Sequence, residues 1–108
     1  FNYLYFDFNS YNLIYSSIKD LRSLVLFLEK YPNIHIELAG YADIIGYDTY
    51  NQKLSRKRAR AAYNFLKLNG VSKYRISRKG RGEKSYKKTD DDRYRRARMV
   101  TIKFFKVL

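Results

Sequence analysis

Two side chains of opposite charge, Asp43 and Arg58, are the residues of this sequence best suited to binding a ligand. Asp43 lies between two apolar pairs in the stretch GYADIIG, residues 40–46, and Arg58 belongs to the run LSRKRA that begins at Leu54. A guanidinium takes a carboxylate through two parallel hydrogen bonds, and an aspartate takes an ammonium. Side by side, the two groups predict a site for a zwitterion.

Arg58 interrupts an otherwise apolar helix face. At about 100° per residue it falls between Leu54 and Ala62, whereas Arg56 and Arg60 point elsewhere. A guanidinium near an apolar face needs a partner, because losing one partner of a buried pair costs about 3–5 kcal/mol. Periodicity alone leaves three explanations open: a structural ion pair, an arginine whose stem packs while its head reaches water, or a ligand site.

The elements that hold these residues follow from the hydrophobic pattern in the first half of the chain. The aromatic segment 1–8 predicts a short strand, and apolar residues at helical spacing predict a helix over about 14–29. Alternation over 34–38 predicts a second strand, which Gly40 ends. Asp43 then lies in a loop at the carboxyl end of a strand, where open α/β folds place ligand sites.

The second half of the chain predicts a helix and two strands. The helix covers about 50–69, and its apolar face consists of Leu54, Ala61, Ala62, Phe65 and Leu68. Asn51, near its start, either adds an amide contact to the site or caps the helix. Residues 74–79 predict a third strand, 80–92 a polar loop, and 99–107 a fourth strand.

Length and element order favour one domain over residues 1–108. The order strand, helix, strand, helix, strand, strand, without an internal repeat or linker, predicts a two-layer α/β sandwich with the helices on one face of the sheet. The 45% hydrophobic fraction is enough for a core, and the absence of cysteine excludes a disulfide framework. The longest apolar run, Leu24–Leu28, is far shorter than the roughly 20 residues that span a bilayer.

The charge balance and the scarcity of histidine narrow the function. Lys and Arg number 23 against 10 Asp and Glu, a formal net charge of +13 that favours an anionic partner. His35 is the one histidine and there is no cysteine, so we expect neither an enzyme nor a metal or other cofactor. The run 90–92, three aspartates, lacks the spaced ligands of a calcium loop and is expected to be a solvated loop.

Nucleic-acid binding is the main alternative. Two basic clusters carry it: Lys53, Arg56, Lys57 and Arg60 on one helix face, and Arg93, Arg95, Arg96 and Arg98 near the last strand. Tyrosines nearby could stack on bases. No RNA-recognition, KH or helix-turn-helix signature is visible, so we do not expect nucleic acid to be the partner. Loss of Asp43 discriminates, since it should favour nucleic acid and abolish a zwitterion site.

The stretch GYADIIGYDTYNQKLSRKRA, residues 40–59, resembles the signature of the OmpA-like C-terminal domain, roughly G-H-T-D-x-x-G-x-x-x-Y-N-x-x-L-S-x-x-R-A. The matching positions are Gly40, Asp43, Gly46, Tyr50, Asn51, Leu54, Ser55, Arg58 and Ala59. Further matches include YFDFNS at 5–10 and GRGE at 80–83. The resemblance covers nearly the whole chain and implies a β-α-β-α-β-β order with a mixed four-stranded sheet.

The resemblance also implies a ligand and its contacts. Domains of this family bind peptidoglycan non-covalently, and the matching aspartate and arginine, Asp43 and Arg58, would grip the meso-diaminopimelate of the stem peptide. The other residues implied at the site are Asn51, Leu54, Ala42, Asp7, Phe8 and Asn9. Tyr41 and Ala42 stand where the family usually has histidine and threonine, and Met99 replaces a charged residue, which leaves the support of the pocket open.

The same resemblance implies a cellular setting. We expect the chain to be the C-terminal module of a longer, periplasmic, outer-membrane-associated protein of a Gram-negative bacterium. The outer membrane and any protein partners would be engaged by the rest of that protein. Lipoprotein, β-barrel protein and envelope assembly, including a secretion system such as type IX, remain open settings that no residue here distinguishes.

Overall fold

A computed structural model describes residues 3–42, 48–83 and 98–107, which form two helices, four strands and a 3₁₀ turn. In chain order the elements are β1 (Tyr3–Tyr5), α1 (Tyr15–Lys30), β2 (Ile34–Ala42), α2 (Asp48–Leu68), the 3₁₀ turn (Lys73–Arg75), β3 (Ile76–Glu83) and β4 (Met99–Lys106). The predicted order of strands and helices is confirmed. Within these segments no helix is both long and apolar enough to cross a membrane.

The four strands form a mixed sheet in the order β1–β4–β2–β3. β4 runs antiparallel to both β1 and β2, whereas β2 and β3 are parallel. Parallel neighbours need a crossover connection, and α2 provides it. The carboxyl end of β2 and the start of α2 are therefore consecutive in the chain and meet at one end of the sheet.

Both helices pack on the same face of the sheet. The buried cluster joins Leu21, Leu24 and Leu28 of α1 and Ala62 and Leu66 of α2 to Ile36, Leu38, Val100 and Ile102 of the two central strands. Helical spacing on the helices and alternation on the strands produce these faces. The predicted two-layer sandwich is confirmed.

Gly40 and Gly80 do not end their strands, contrary to the prediction. They pair with each other, and β2 continues to Ala42 while β3 continues to Glu83. A Cβ atom on Gly40 would lie 1.9 Å from the carbonyl oxygen of Ser55, and one on Gly80 would lie 2.6 Å from its hydroxyl oxygen. These glycines allow α2 to lie close on the sheet, which explains why a strand can contain them.

The prediction that Leu68 lies on the buried face of α2 is also wrong, since its side chain is 85% exposed. Leu66 takes the buried position, because it follows Ala62 by four residues and shares its helix face, whereas a residue six positions on does not. The first strand is shorter than predicted, Tyr3–Tyr5, and Tyr74 belongs to the 3₁₀ turn before β3.

Candidate functional site

Ser55 and Gln52 fix α2 to the sheet beside the candidate site. The Ser55 hydroxyl accepts a hydrogen bond from the backbone N–H of Gly82 at 2.9 Å and donates to the carbonyl of Gln52 at 2.8 Å. The Gln52 side-chain amide donates to the carbonyl of Gly80 at 2.9 Å. These contacts fix the distance of α2 from the sheet and its position along β3. They thereby fix the position of Arg58, which lies one turn after Ser55.

Arg58 is fully buried, as the helical periodicity predicts, with 0% of its surface exposed. Its Nε donates to the carbonyl of Ser10 at 2.8 Å, its Nη1 to that of Tyr41 at 2.9 Å and its Nη2 to that of Asp7 at 3.1 Å. The guanidinium carbon lies 5.5 Å from the centre of the Phe6 ring. Arg58 therefore joins the turn after β1 to the carboxyl end of β2.

The described partners of this buried cation are neutral. A guanidinium has five N–H donors, and carbonyl oxygens offer it partial negative charge without a second ion. Hydrogen bonds from a charged donor are stronger than neutral ones, and more so where water is excluded. Arg58 is therefore held in one orientation by three backbone groups, which makes it a rigid part of the site.

The turn between β1 and α1 has the shape needed to aim two carbonyls at this guanidinium. Asn9 adopts φ 55, in the left-handed region that asparagine tolerates better than most residues. The N–H of Ser10 donates to the carbonyl of Asp7 at 3.2 Å, and the Tyr50 hydroxyl of α2 donates to Asn9 Oδ1. Phe8, at the tip of the turn, is 61% exposed. Asp7, Phe8 and Asn9 thus lie in the turn that contacts Arg58, and their contribution to a ligand site stays a prediction.

The other predicted site residues that the structure describes are buried near the start of α2 and the end of β2. Asn51 is 2% exposed, Leu54 6% and Ala42 0%. Because α2 begins at Asp48, Asn51 lies inside the helix and is not its N-cap residue, so that alternative is wrong. Asp43 lies outside the described residues, and its contribution to the site stays a prediction.

A second arginine with the same kind of contacts was missed by the sequence reasoning. Arg75 donates from Nη2 to the carbonyls of Leu28 at 2.9 Å, Tyr31 at 2.8 Å and Ile34 at 2.7 Å. The last turn of a helix leaves carbonyls without partners, so a cation near the end of α1 is the expected solution. Arg75 lies 47 residues from Leu28 in the sequence, and no local pattern marks it.

The predicted basic face of α2 is exposed to solvent. It consists of Lys53, Arg56, Lys57 and Arg60. Of the second predicted basic cluster, Arg93, Arg95 and Arg96 lie outside the described residues, as do residues 90–92. Arg98 is half-buried and donates from Nε to the carbonyl of Phe6 at 3.3 Å. It therefore has a structural contact as well as a charge.

The Glu37 carboxyl has a lowered pKa and lies on the face of the sheet opposite the helices. A hydrogen bond from Lys79, with Nζ 2.9 Å from Oε1, lowers the pKa of the Glu37 carboxyl. Partial burial acts in the opposite direction, and the charges of Lys103 and Arg81 lower the pKa further. This pair stabilises the charged form of the Glu37 carboxylate.

His35 lies on β2 opposite Phe105 and alternates away from the core face. Among the residues that the structure describes, no group of three or more His, Asp or Glu side chains is placed to hold a metal ion. At the end of β2 the described residues provide a buried guanidinium that donates hydrogen bonds.

Known proteins resemble this chain in sequence and in fold. It is 41% identical over 78 residues to outer membrane porin F of Pseudomonas fluorescens, covering 72% of this chain and 24% of that protein. It is 34% identical over 76 residues to the peptidoglycan-associated lipoprotein of Buchnera aphidicola subsp. Baizongia pistaciae, covering 70% and 44%. The crystal structure of the peptidoglycan-associated lipoprotein from Burkholderia pseudomallei matches with a TM-score of 0.89 at 26% identity, covering 97% of this chain and 91% of that one.

The matches cover most of this chain but only part of the longer relatives. It spans about a quarter of the length of the porin F relatives, so the likeness concerns one region of those proteins. The profile of the OmpA family matches residues 5–99, which include every element from the end of β1 to the start of β4. The chain belongs to the OmpA family.

Proposed function

We propose that this domain binds peptidoglycan non-covalently, with Asp43 and Arg58 taking the meso-diaminopimelate of a stem peptide. The observation that carries the proposal is the buried guanidinium of Arg58 at the end of β2, bonded to the carbonyl of Tyr41. Asp43 follows Tyr41 by two residues in the sequence, so we assign it to the same site. The ligand class is supported by the similarity to two peptidoglycan-associated lipoproteins.

The chemistry of diaminopimelate fits two charged groups of opposite sign. Its side-chain end carries both an ammonium and a carboxylate. An arginine takes the carboxylate through paired N–H donors, and an aspartate takes the ammonium. Asn51 offers an amide beside them, Leu54 and Ala42 supply apolar wall, and the turn from Asp7 to Asn9 forms the rim.

The burial of Arg58 adds a condition to this proposal. With no exposed surface, its guanidinium meets a ligand carboxylate only if the atoms that now cover it move aside. Arg58 also holds the carbonyls of Asp7 and Ser10, so ligand contact and the shape of the rim are coupled through one side chain. Replacing Arg58 would therefore affect both, and Asp43 is the cleaner residue for a first test.

The first test is sedimentation with purified Gram-negative peptidoglycan sacculi, comparing Asp43→Asn with Asp20→Asn. Both variants lose one negative charge and keep the side-chain shape, but Asp20 lies on α1. We expect Asp43→Asn to reduce retention by on the order of 10-fold or more, because the ammonium of the bound diaminopimelate loses its negatively charged partner. Asp20→Asn should bind like the parent chain.

The same variant separates this function from general charge attraction. Asp43→Asn raises the formal net charge of +13 by one, so attraction to any anionic polymer would increase. Retention equal to or above that of the parent chain would refute the two-charge site. Nucleic-acid binding, which the exposed basic face of α2 keeps as the alternative, would then be favoured.

The proposed ligand specificity rests on one carboxylate. A stem peptide with lysine in place of meso-diaminopimelate leaves the Arg58 guanidinium without its partner, so we expect it to bind on the order of 10- to 100-fold more weakly. Calorimetric titration of both soluble muropeptides at the same moderate salt concentration measures the difference. Similar dissociation constants would exclude recognition of the second carboxylate.

The proposed setting is the periplasm, where a non-catalytic domain would hold a longer protein to the cell wall. Its similarity to outer membrane porin F and to peptidoglycan-associated lipoproteins supports attachment to the outer membrane through other parts of that protein. A β-barrel protein, a lipoprotein and an envelope assembly, including a secretion system such as type IX, are all compatible with this domain. Labelling of the full-length protein in intact and permeabilised cells would test the compartment.

A further inference from the structure

A second concave surface lies between α2 and the edge strand β3. It encloses about 510 Å³ and is lined by Gln52, Arg56, Ala59, Arg60, Arg78, Lys79 and Gly80. None of the described residues assigned above to the diaminopimelate site lines it. We call this surface the α2–β3 groove.

The α2–β3 groove carries an excess of positive charge. Arg56, Arg60 and Arg78 are exposed, and in the described part of the chain none of the three has an ion pair. Lys79 also lines the groove, but Glu37 offsets its charge at 2.9 Å. Counting only the residues that the structure describes, the groove thus presents about three positive charges without an ion pair, all of them guanidinium groups, to one small volume.

The spacing of these guanidinium groups is set by the fold. Arg56 and Arg60 are four residues apart on α2, so they share a helix face about 6 Å apart along the axis. Arg78 faces them from β3, and its guanidinium carbon lies 4.2 Å from the centre of the Tyr63 ring, which fixes its plane. Gly80 adds no side chain to the floor between them, because a Cβ there would collide with Arg56.

Other occupants fit this groove less well. Among its described lining residues the groove offers a nucleobase no aromatic ring to stack on, and Arg78 covers a face of the nearby Tyr63. An added strand is disfavoured because Gln52 already binds the carbonyl of Gly80 and Ser55 the N–H of Gly82. A flat membrane surface would meet the rims of a concave groove rather than its floor.

We propose that the α2–β3 groove binds a compact polyphosphate group of the pyrophosphate class. Guanidinium groups pair with phosphate oxygens through paired N–H donors, and a pyrophosphate group offers about as many negative charges as the groove has uncompensated positive ones. Arg56 and Arg60 hold adjacent phosphates from α2, and Arg78 closes the site from β3. This proposal does not depend on the binding of peptidoglycan.

The test is calorimetric titration with inorganic pyrophosphate at constant ionic strength. Arg56→Gln/Arg60→Gln should weaken binding by on the order of 10-fold or more, since each arginine supplies charged hydrogen bonds. The matched control is Lys19→Gln/Arg22→Gln, which removes the same charge from exposed positions of α1. We expect the control to change the affinity less than about 2-fold. Equal weakening in both would overturn the proposal in favour of general attraction.

Two further binding experiments identify the source of the phosphate group. Vesicles of a polyprenyl pyrophosphate in phosphatidylcholine present the pyrophosphate group on a lipid, and retention that Arg56→Gln/Arg60→Gln abolishes would assign a lipid-linked pyrophosphate as the natural source. No retention, together with pyrophosphate binding, would assign a soluble ligand. Binding of a mixed single-stranded oligonucleotide without measurable pyrophosphate binding would overturn the proposal.

The two sites can be tested separately in one set of variants. Asp43→Asn should leave pyrophosphate affinity unchanged, because Asp43 is not assigned to the α2–β3 groove. Arg56→Gln/Arg60→Gln should still sediment with sacculi, with retention reduced less than in Asp43→Asn. Loss of both activities in either variant would show that the groove and the diaminopimelate site are one surface, and would overturn the proposal of a separate polyphosphate site.

Discussion

Two arginines, Arg58 and Arg75, bind backbone carbonyls at opposite ends of β2. Arg58 bonds to Tyr41, the second-to-last residue of the strand, and Arg75 bonds to Ile34, the first. Each guanidinium also bonds to carbonyls from a neighbouring segment of the chain. They differ in burial, since Arg58 has no exposed surface and Arg75 is half-buried.

The difference in burial separates a structural contact from a candidate binding group. Arg75 bonds to Leu28 and Tyr31, where α1 ends and carbonyls need donors, so the helix explains its presence. No helix end requires Arg58, and burying a cation stabilises a fold less than an apolar side chain of similar size. The hydrogen-bond pattern alone does not mark a binding site, whereas a fully buried cation that no helix end accounts for is a better indicator.

The largest expected effect is that of Arg58→Ala. It removes three charged hydrogen bonds and leaves the carbonyls of Ser10, Tyr41 and Asp7 without this donor, so we expect the free energy of unfolding to fall by about 3–5 kcal/mol. Urea denaturation followed by circular dichroism measures it. A loss below about 1 kcal/mol would mean that water replaces the guanidinium and that burial has little energetic consequence.

Arg58→Lys sharpens the same test, because the variant keeps the charge and much of the volume. An ammonium has three donors and cannot reproduce the planar fork, so we expect partial recovery of stability but no recovery of muropeptide binding. Calorimetry on folded protein separates the two quantities. Unchanged affinity in Arg58→Lys would mean that Arg58 supplies charge alone, and the paired hydrogen bonds to a ligand carboxylate would have to be abandoned.

Two glycines, Gly40 in β2 and Gly70 just after α2, give the next largest contrast. Gly40→Ala places a Cβ atom 1.9 Å from the Ser55 carbonyl, so α2 must move; we expect a loss of about 1–3 kcal/mol or more and weaker sacculus binding. Gly70 has φ +96 and no atom within 4 Å of an added Cβ, so only backbone strain opposes Gly70→Ala, at about 1–2 kcal/mol.

Asparagine distinguishes these two reasons for glycine. Because asparagine tolerates the left-handed region, Gly70→Asn should be milder than Gly70→Ala, whereas Gly40→Asn should be worse than Gly40→Ala. Thermal unfolding of the four variants gives the ranking. The reverse order at Gly40 would indicate that α2 yields easily and that close packing does not fix the position of Arg58.

Arg75→Ala should have a smaller effect than Arg58→Ala and a different consequence for function. Its contacts lie partly in solvent, so water can replace the lost donor, and we expect a loss of about 1–2 kcal/mol. Sacculus retention, measured at a temperature where both proteins are folded, should be unchanged. Reduced retention in Arg75→Ala would remove the functional distinction between the two ends of β2.

The sequence predicted the buried arginine because its signal is local. Arg58 lies at helical spacing from Leu54 and Ala62, and apolar neighbours one turn away on each side are visible in any window of the sequence. Arg75 was missed because its partners Leu28 and Ile34 lie 47 and 41 residues away. A contact that depends on how two elements meet leaves no periodic pattern in either of them.

The strand boundaries failed for a related reason. Gly40 and Gly80 resemble strand ends in the sequence, because glycine has low strand propensity. Their role depends on Ser55, whose carbonyl approaches Gly40 and whose hydroxyl approaches Gly80 from another layer of the fold. The family resemblance includes Gly40 and Ser55 among its matching positions, but the reason that the two occur together becomes visible only when α2 lies on the sheet.

The smallest expected effect concerns Glu37, which lies on β2 between the two arginines. The ion pair of Glu37 with Lys79 should depend on pH, whereas the contacts of Arg75 with backbone carbonyls should not. The hydrogen bond from Lys79 lowers the pKa of Glu37 below its ordinary value of 4.5, so the folded state favours the charged carboxylate. Its stabilisation is therefore fully present above about pH 4.5 and is lost as pH falls through the lowered pKa.

Because both side chains are partly exposed, we expect Glu37→Gln to cost only about 0.5 kcal/mol at neutral pH and close to nothing at about pH 3. The loss in Arg75→Ala should be the same at both pH values, since carbonyls do not titrate. Urea denaturation of both variants at the two pH values measures the contrast, and a Glu37→Gln effect that does not shrink in acid would show that the pair acts through packing rather than charge.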